Sequence, residues 1–499
     1  MKPGDAPLVG RPARMFPGGL VSLALIVCAA GLIRAFELGR LSFWYDEVVS
    51  MRLGRAGGLG GLVKLLFEID ATRAFVHPLL LSGWIGLFGP SEASARGFSV
   101  ACGLAAVVVI HGFGRAAFGT RAGLWAGWLA ATSPILVVYS REARMYAWLI
   151  LVACVAWRSL LSQRGGRSWA FSTLHAVSLA VLVYSHPLGL IMAATIAAAG
   201  LWDVNRSFGG IGRWLVLHLA ALAMVAPWLR FYLDHDPEFT SGRLSPWFLL
   251  GTPIGFLGGN FALQPVLIGI IVWGVTRQGR LRSDSAEDPG RAVGFLVTWL
   301  IVPPTLLYGY SLVSHPVFGP ARYTAFCAPP FLILVGLGMA NLPAWGRYPL
   351  AMGLAVVSGQ MIGVKAYDPE LKADWRGMAA RAGEMAVPAE TLVIVVSADE
   401  ARNVEVETAR YYFGARCRIA SVEGARRLEA TGRETVFLAV PGRRGLPLSP
   451  PPESIGPWRF ERVPCFVLDG LIVYLGVRGG AIGGAAPGSS TGSASAARS

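Results

Sequence analysis

Long apolar stretches recur along most of the chain and alternate with short polar segments. Eleven stretches are long enough, alone or with flanking residues, to cross a hydrocarbon core of about 30 Å at about 1.5 Å of helix per residue. They lie at about Gly19–Ala35, Gly97–Phe113, Ala122–Val138, Tyr146–Leu161, Trp169–Tyr184, Leu188–Trp202, Trp214–Tyr232, Gln264–Thr276, Ala292–Val313, Tyr323–Ala340 and Tyr348–Val364. Residues 246–263 add at most a partial element. The pattern predicts an α-helical polytopic membrane protein.

One further apolar stretch, Pro78–Phe88, is too short to span a bilayer. The residues before it mix charges with apolar side chains, since Lys64, Glu68 and Asp70 lie among Leu, Val and Phe. This mixture is typical of a helix that lies in the membrane interface. The segment between the first two spans is therefore predicted to be an external loop with interfacial helices.

Basic residues recur in every second loop and predict the orientation of the chain, provided that Pro78–Phe88 does not cross. They are Lys2, Arg11, Arg14, Arg115, Arg121, Arg164, Arg167, Arg206, Arg213, Arg277, Arg280, Arg282, Arg291 and Arg347. Because Lys and Arg are concentrated on the cytoplasmic side of membrane proteins, these loops and the N-terminus are predicted to be cytoplasmic. The other face receives Asp46, Glu47, Glu68, Asp70, Glu142, Asp234, Asp236 and Glu238. No cleavable signal peptide is evident, so the first span is predicted to anchor the chain in the membrane.

After Val364 the apolar stretches give way to a mixed α/β pattern. Helices are predicted at Asp374–Met385 and Glu400–Phe413, and strands at Thr391–Ser397, Thr435–Val440 and Phe466–Leu475. The predicted organisation is a cytoplasmic N-terminus (1–18), a membrane domain (19–365) with its first external loop at 36–96, a small periplasmic α/β domain (366–478) and a disordered Gly/Ala/Ser-rich tail (479–499). Cys417 and Cys465 share the oxidising compartment, where they either pair or remain free thiols.

The composition supports the membrane assignment. Residues of the AVILMFWYC set make up 54% of the 499 residues and charged residues 15%, whereas soluble chains carry about 25% charged residues. A soluble enzyme, a nucleic-acid-binding protein and a disulfide-rich secreted domain are thereby excluded. The net charge of +14 follows from arginines in cytoplasmic loops.

Five polar clusters interrupt the apolar pattern, and the predicted topology places all of them at the external ends of helices. They are Trp44-Tyr45-Asp46-Glu47, His77-Pro78, Ser140-Arg141-Glu142-Ala143-Arg144-Met145-Tyr146, Tyr184-Ser185-His186-Pro187 and Gly319-Pro320-Ala321-Arg322-Tyr323. Charged groups near membrane depth are costly and usually functional. Five separated segments that end on one face predict an active site at the membrane surface.

The residue types in these clusters suit one class of reaction. Asp46 or Glu47 offers a general base that can take a proton from an alcohol. Arg141, Arg144 and Arg322 offer planar donors for phosphate. Glycoside hydrolysis usually needs a second carboxylic acid for the leaving alkoxide, whereas a phosphate leaving group needs cations. The set therefore favours glycosyl transfer from a phosphate-activated sugar, with the phosphate carried by a lipid.

The order of these motifs resembles the GT-C superfamily of integral-membrane glycosyltransferases. The branch that it resembles holds the protein O-mannosyltransferases and the lipid A aminoarabinose transferases, glycosyltransferase family 39 and its bacterial relatives. The motifs are Phe43-Trp44-Tyr45-Asp46-Glu47, His77-Pro78-Leu79, Ser91-Glu92-Ala93-Ser94-Ala95-Arg96, Tyr139-Ser140-Arg141-Glu142-Ala143-Arg144-Met145-Tyr146, Ser185-His186-Pro187, Ala321-Arg322-Tyr323 and Asp374-Trp375-Arg376. The resemblance implies the GT-C fold and an inverting transferase. It also implies a polyprenyl-phosphate monosaccharide donor and a lipid, glycan or protein acceptor at the periplasmic face.

The resemblance also implies roles for single residues. Asp46 is the expected catalytic base, with Glu47 beside it. Donor or phosphate binding is expected from Arg141, Glu142, Arg144, Tyr146, Arg322, Tyr323, His77 and His186. Some relatives bind a divalent metal through a loop Glu and a His. Here His77 and His186 are the candidates, but no ligand set is evident. A divalent metal therefore stays an open alternative, and no metal ligand or other cofactor is predicted.

Other interpretations stay open at this stage. Asp46 and Glu47 could cap the helix that follows, Arg141 and Arg144 could anchor to lipid headgroups, and His77 and His186 could only end helices. The competing class is a transporter or flippase for a lipid-linked or anionic substrate, although such proteins usually place polar groups at the bilayer midplane. A non-catalytic scaffold is a third alternative.

Overall fold

The computed structural model describes residues 17–69, 73–163, 169–203, 208–233, 246–257, 261–281, 287–314, 317, 321–385, 391–396, 404–414, 417–428, 435–443, 446–447, 451–461 and 464–478. Several residues used in the sequence predictions lie outside these ranges. They are Lys2, Arg11, Arg14, Asp70, Arg164, Arg167, Arg206, Asp234, Asp236, Glu238, Arg282, Gly319, Pro320 and the tail 479–499.

The chain divides into two compact units. The first consists of Met1–Leu41 and Asp46–Leu371, and the second of Ser42–Tyr45 and Lys372–Ser499. The first unit is helical and the second contains the sheet. A short piece of the first external loop, Ser42–Tyr45, thus belongs to the C-terminal unit.

The first unit is built from sixteen α-helices within the described residues. They are α1 (Pro17–Ala35), α2 (Tyr45–Gly54), α3 (Leu59–Ile69), α4 (Val76–Phe88), α5 (Glu92–Phe118), α6 (Thr120–Thr132), α7 (Pro134–Ser140), α8 (Tyr146–Leu161), α9 (Trp169–Ser185), α10 (Leu188–Asp203), α11 (Phe208–Leu233), α12 (Trp247–Gly251), α13 (Leu263–Thr276), α14 (Pro289–Val313), α15 (Ala328–Asn341) and α16 (Ala344–Ile362). Each of the eleven predicted spans coincides with a helix or, in one case, with two.

Length and composition separate these helices into two groups. Among the described residues, five helices are long and apolar enough to cross a membrane, and the bent pair α6–α7 adds a sixth. Six shorter apolar helices of 10–17 residues complete the set. The predicted polytopic helical architecture is confirmed, and the number of crossings stays a prediction.

The predicted span Ala122–Val138 is broken between α6 and α7, which meet at an angle of 58°. Pro134 has no N–H and cannot donate to the carbonyl of Ala130, so the ladder of helical hydrogen bonds is interrupted. Arg34, in the last turn of α1, supplies the missing donors. Its guanidinium donates to the carbonyls of Ala130 at 3.1 Å and Ala131 at 2.9 Å. A buried arginine therefore stabilises the break.

Within the described residues, the second unit contains an eight-stranded mixed sheet with three helices. The strands are β1 (Thr391–Val395), β2 (Arg418–Ser421), β3 (Thr435–Arg443), β4 (Leu446–Pro447), β5 (Ser454–Ile455), β6 (Trp458–Phe460), β7 (Phe466–Leu468) and β8 (Leu471–Arg478). The helices are α17 (Trp375–Met385), α18 (Val404–Phe413) and α19 (Val422–Arg426). The strand order is β2-β1-β3-β8-β6-β5, with β4 paired to β3 and β7 to β8. Strands β1, β2 and β3 are parallel, and β8 runs antiparallel to β3.

One predicted strand of this unit is wrong. Phe466–Leu475 was expected to be continuous, but β7 and β8 form an antiparallel hairpin in which Leu468 pairs with Leu471. The two residues between them are Asp469 and Gly470, and Gly470 has φ 68°, a conformation that glycine adopts without strain. The Asp-Gly pair is a hairpin signal that the apolar pattern concealed.

The two cysteines of this unit are free thiols. Cys417 precedes β2 and Cys465 precedes β7, so β1, β3 and β8 separate their strands. Four strand spacings of about 4.8 Å put the two positions roughly 19 Å apart, far beyond the Cα separation that a disulfide allows. Of the two alternatives, the structure supports free thiols.

The segment Ser42–Tyr45 is held within the second unit by polar and aromatic contacts. The hydroxyl of Ser42 donates to Asp374 at 2.9 Å and accepts from the backbone N–H of Arg376 at 3.2 Å. The N–H of Phe43 donates to the hydroxyl of Tyr412 at 2.6 Å. The motif Asp374-Trp375-Arg376 therefore fixes the path of the residues that directly precede Asp46.

Candidate active site

Asp46 lies in the first turn of α2 and faces two guanidinium groups from distant parts of the chain. Its Oδ2 is 3.3 Å from Nη1 of Arg322 and 3.6 Å from Nη2 of Arg144. The carboxylate is 17% exposed, and the two arginines are 16% and 13% exposed. The predicted meeting of Asp46 with Arg144 and Arg322 is therefore present, and all three side chains are mostly buried.

Arg144 is oriented by α2 as well as by the carboxylate. Its Nη1 donates to the carbonyl of Asp46 at 3.0 Å and to the hydroxyl of Ser50 at 3.4 Å. Arg144 belongs to the turn between α7 and α8. This turn therefore docks on the first helix of the external loop, next to Asp46.

Arg322 lies in a 3-10 turn, Ala321–Tyr323, that precedes α15. Its Cζ is 5.1 Å from the ring centre of Tyr323, and the Cζ of Arg144 is 6.0 Å from that of Tyr146. Burial alone would lower the pKa of Arg322, but the phenol groups of Tyr146 and Tyr323 and the carboxylate of Asp46 raise it above its ordinary value. Both predicted tyrosines thus border the arginine pair.

Glu47 does not share the environment of its neighbour. Its side chain is 0% exposed, and its two oxygens accept from Nε and Nη2 of Arg96 at 2.8 and 2.9 Å. One of them also accepts from the N–H of Ala143 at 2.9 Å. A carboxylate that is enclosed and occupied in this way cannot reach an acceptor hydroxyl. The expectation of a catalytic role for Glu47 is therefore corrected: Glu47 holds the turn that carries Arg144.

Arg141 is also directed away from the arginine pair. Its Nη1 donates to the carbonyls of Arg34 and Phe36 at 2.7 and 2.6 Å, and its Cζ is 4.4 Å from the ring centre of Tyr367. These carbonyls belong to the C-terminal end of α1, where helical acceptors lack partners. Arg141 therefore does not lie beside Asp46, contrary to the expectation. Arg141 ties the turn to α1.

His77 and His186 are buried near the arginine pair. Burial, and after it the positive charge of Arg144, lowers the pKa of His77 to about 3. Burial, followed by Arg144 and Arg322, lowers that of His186 to about 3 as well. Nδ1 of His186 accepts from the N–H of Leu188 at 3.0 Å, so this ring caps the start of α10. Nε2 of His77 has no hydrogen-bond partner among the described residues.

Glu142 is partly exposed in the same turn and interacts electrostatically with Tyr139. Its carbonyl accepts from the N–H of Arg144 at 2.8 Å. Its predicted role at the donor stays a prediction.

Two arginines that support this site had no role in the sequence analysis. Arg96 pairs with Glu47 and donates to the carbonyls of Leu38 and Leu41 at 3.0 and 2.8 Å. Arg34 donates from Nε to the hydroxyl of Ser140 at 3.2 Å. For Arg34 the available signal was a charge inside an apolar stretch, because such a charge requires partners. Arg96 ends one of the motifs quoted above, but no role was predicted for it.

The described residues contain no group of three or more His, Cys, Asp or Glu side chains that could hold a metal ion.

The comparisons with known proteins agree with the fold. Residues 72–231 match the model of the family described as dolichyl-phosphate-mannose-protein mannosyltransferase, which covers about a third of the chain. No curated protein sequence matches. The described fold is similar to ArnT from Cupriavidus metallidurans, in the apo state with a TM-score of 0.59 and bound to undecaprenyl phosphate with 0.56. Both comparisons have 14% identity and cover 92% of this chain and 98% of ArnT.

A second similar structure is the archaeal oligosaccharyltransferase AglB from Archaeoglobus fulgidus, in complex with an inhibitory peptide and a dolichol-phosphate. Its TM-score is 0.51 at 12% identity, with 85% of this chain and 69% of AglB covered. ArnT and AglB are GT-C glycosyltransferases. The chain has the GT-C fold and is a multi-pass membrane protein. The fold that the resemblance of its motifs implied is therefore confirmed.

Proposed function

We propose that the chain is an inverting glycosyltransferase that moves a monosaccharide from a polyprenyl-phosphate donor to an acceptor hydroxyl. The proposed site lies on the periplasmic face of a bacterial inner membrane. The contact of Asp46 with Arg144 and Arg322 is the observation that carries the proposal. The GT-C fold, and the undecaprenyl phosphate bound to ArnT, support a lipid phosphate as the carrier.

The charge at the contact suits a phosphate ligand. Two guanidinium groups face one carboxylate, so the cluster has a net positive charge that an anionic phosphate would neutralise. The separations of 3.3 and 3.6 Å are longer than the 2.7–2.9 Å of a strong charge-assisted hydrogen bond. We infer that the arginines turn from Asp46 to the donor phosphate when the donor binds, which releases the carboxylate for proton transfer.

The two oxygens of Asp46 are then available for different tasks. Among the described residues, the contacts of its carboxylate are all made by Oδ2. In the proposed step Oδ1 accepts the proton of the acceptor hydroxyl. The acceptor oxygen attacks the anomeric carbon, the bond from that carbon to the phosphate oxygen breaks, and the electron pair leaves with the polyprenyl phosphate. Arg144 and Arg322 stabilise the charge on the departing phosphate, and the configuration at the anomeric carbon inverts.

Asp46→Asn tests the proposal, because it removes the base without changing the size of the side chain. Loss of a positioned base should lower the transfer rate by about 10²–10⁴-fold. The envelope glycans and glycolipids of a deletion strain are compared with those of strains rescued by wild type or by Asp46→Asn. We expect wild type to restore one sugar residue on one class of envelope molecule, and the variant to fail at wild-type abundance.

A matched control separates chemistry from folding. Asp203 also pairs with an arginine, since its Oδ2 is 2.6 Å from Nη2 of Arg291. This pair is tighter than that of Asp46, so Asp203→Asn should destabilise the protein at least as much. Rescue by Asp203→Asn together with failure of Asp46→Asn would support the proposed base. Full rescue by Asp46→Asn would contradict it.

A further inference from the structure

A cavity that is widely open to the surroundings lies at the opposite end of the first unit from Asp46. Its volume is about 820 Å³, and it lies where α6 and α16 begin and α13 and α15 end. The length of helix α15 gives the distance between the surroundings of Asp46 and the cavity. It begins at Ala328, shortly after Arg322, and its 14 residues rise about 20 Å to Asn341 in the cavity wall.

Two guanidinium groups line the cavity, and its described lining contains no carboxylate. Arg121 is exposed in the first turn of α6. Arg277 follows α13, and its Cζ lies 3.4 Å from the ring centre of Trp273. Stacking on an indole holds the planar group in place and leaves its edge free to donate. Within the described part of the chain, neither arginine forms an ion pair with an acid. Among the described residues, the lining of the cavity therefore carries positive charge without a paired acid.

The spacing of the two arginines is set by close helix packing. A Cβ on Gly336 of α15 would lie 2.7 Å from the backbone nitrogen of Ala126 in α6. A Cβ on Gly338 would lie 2.2 Å from the carbonyl oxygen of Ile270 in α13. Glycines thus bring the backbones of α6 and α13 close to opposite sides of α15. The ends of α6 and α13, which carry the arginines, are held at a fixed separation.

The surroundings of the cavity suit an amphiphile rather than a free ion. Trp345 at its rim is 82% exposed, and aromatic side chains of this kind are enriched at the level of lipid headgroups. Large apolar side chains continue from the rim along the outer faces of two bordering helices. They are Ile268 and Val272 on α13 and Met352 and Val356 on α16, each more than half exposed.

We propose that this cavity binds the headgroup of an anionic glycerophospholipid from the surrounding bilayer. Arg121 and Arg277 contact the phosphate, Trp345 packs beside the glycerol region, and the acyl chains follow the apolar faces of α13 and α16. Basic pockets between transmembrane helices bind anionic headgroups by this combination of charge and apolar contact. The inference does not depend on the proposed transferase activity.

Native mass spectrometry of the full-length protein, titrated with phosphatidylglycerol or phosphatidylcholine, tests this site. We expect the anionic lipid to bind more tightly. Arg121→Gln and Arg277→Gln should each weaken its binding about fivefold, and the double variant about 25-fold. Arg347→Gln is the matched control, because Arg347 lies in the first turn of α16 but does not line the cavity. Equal binding of the two lipids, or an equal effect of Arg347→Gln, would overturn the proposal.

A competition experiment and a crosslinking experiment complete the test of the lipid site. Inorganic phosphate is added as a competitor. Displacement of the lipid by an equal concentration of phosphate would show that the site takes free phosphate and would overturn the proposal of a lipid ligand. If the arginine variants do not fold, a photoactivatable phosphatidylglycerol is crosslinked to the wild-type protein. Crosslinks confined to residues near Trp273 and Trp345 support the site, and crosslinks spread around the bundle refute it.

Discussion

The adjacent acids Asp46 and Glu47 are predicted to fail in different ways when they are neutralised. Glu47→Gln removes the charge that compensates Arg96, a guanidinium with a side chain 3% exposed. It also replaces an acceptor oxygen by an amide whose hydrogens face the donors of Arg96. Breaking a buried ion pair from one side costs about 3–5 kcal/mol. At about 2 °C per kcal/mol for a large chain, the thermal midpoint should fall by about 6–10 °C.

The cysteines of the chain provide the assay. Cys102, Cys154 and Cys327 are buried in the helical unit, so a thiol-reactive fluorophore reports their exposure as the purified protein is heated. Asp46→Asn should change the free energy of unfolding by no more than about 1 kcal/mol, and the midpoint by about 2 °C, because the contacts of its carboxylate at 3.3 and 3.6 Å are loose. Glu47→Gln should shift the midpoint and reduce transfer only in proportion to the folded protein that remains.

A second substitution checks the cause. Combining Glu47→Gln with Arg96→Met removes the uncompensated charge, so the double variant should lose less stability than the sum of the two single variants. Recovery should be incomplete because Arg96 also donates to Leu38 and Leu41. A Glu47→Gln protein with the wild-type midpoint but no transfer would refute this reasoning and return Glu47 to the list of catalytic candidates.

Three other predictions concern the arginines, the histidines and the helix packing. Arg322→Ala should lower kcat/KM for the lipid-linked donor by about 10–100-fold through loss of a charged hydrogen bond, with little change in acceptor KM; an effect confined to the acceptor would contradict a phosphate contact. The pKa of His186 is about 3 in the folded protein, against an ordinary value of 6.5. Neutral His186 therefore contributes stability above pH 6.5. This contribution is lost as the pH falls, by about 2 kcal/mol at pH 5. His186→Gln should therefore flatten the fall of the thermal midpoint between pH 6.5 and 5, and an unchanged slope would count against the burial of this ring. Gly336→Ala places a Cβ 2.7 Å from the backbone of Ala126 and should cost about 1–3 kcal/mol, whereas Gly353→Ala, with no atom within 4 Å, should be neutral; equal midpoints would refute the close approach of α15 to α6.

The sequence predicts the helices well because each predicted span is itself a run of apolar residues. It did not reveal the break at Ser133–Pro134, since a single proline within such a run is compatible with a kinked helix. The break is stabilised by Arg34, about a hundred residues earlier, because its guanidinium donates to the carbonyls that Pro134 leaves without a helical partner. A long-range partner of this kind leaves no periodic signal.

Within the candidate site, the sequence could identify the segments but not the side chains that face one another. Asp46 and Glu47 are consecutive on a helix and therefore point about 100° apart. One meets the arginine pair and the other meets Arg96. In the same way Arg141 and Arg144 lie in one turn but contact different helices. The direction of each side chain depends on the local path of the backbone, which the motif does not encode.

The buried guanidinium of Arg34 also sets an order for biogenesis. Its acceptors outside α1, Ala130, Ala131 and Ser140, come 96, 97 and 106 residues later in the chain. While α1 emerges from the ribosome none of them has been synthesised, so the newly inserted α1 would have to keep this charge near the headgroups until α6 and α7 arrive. The final packing of α1 and the folding of the turn between α7 and α8 would then occur late and together.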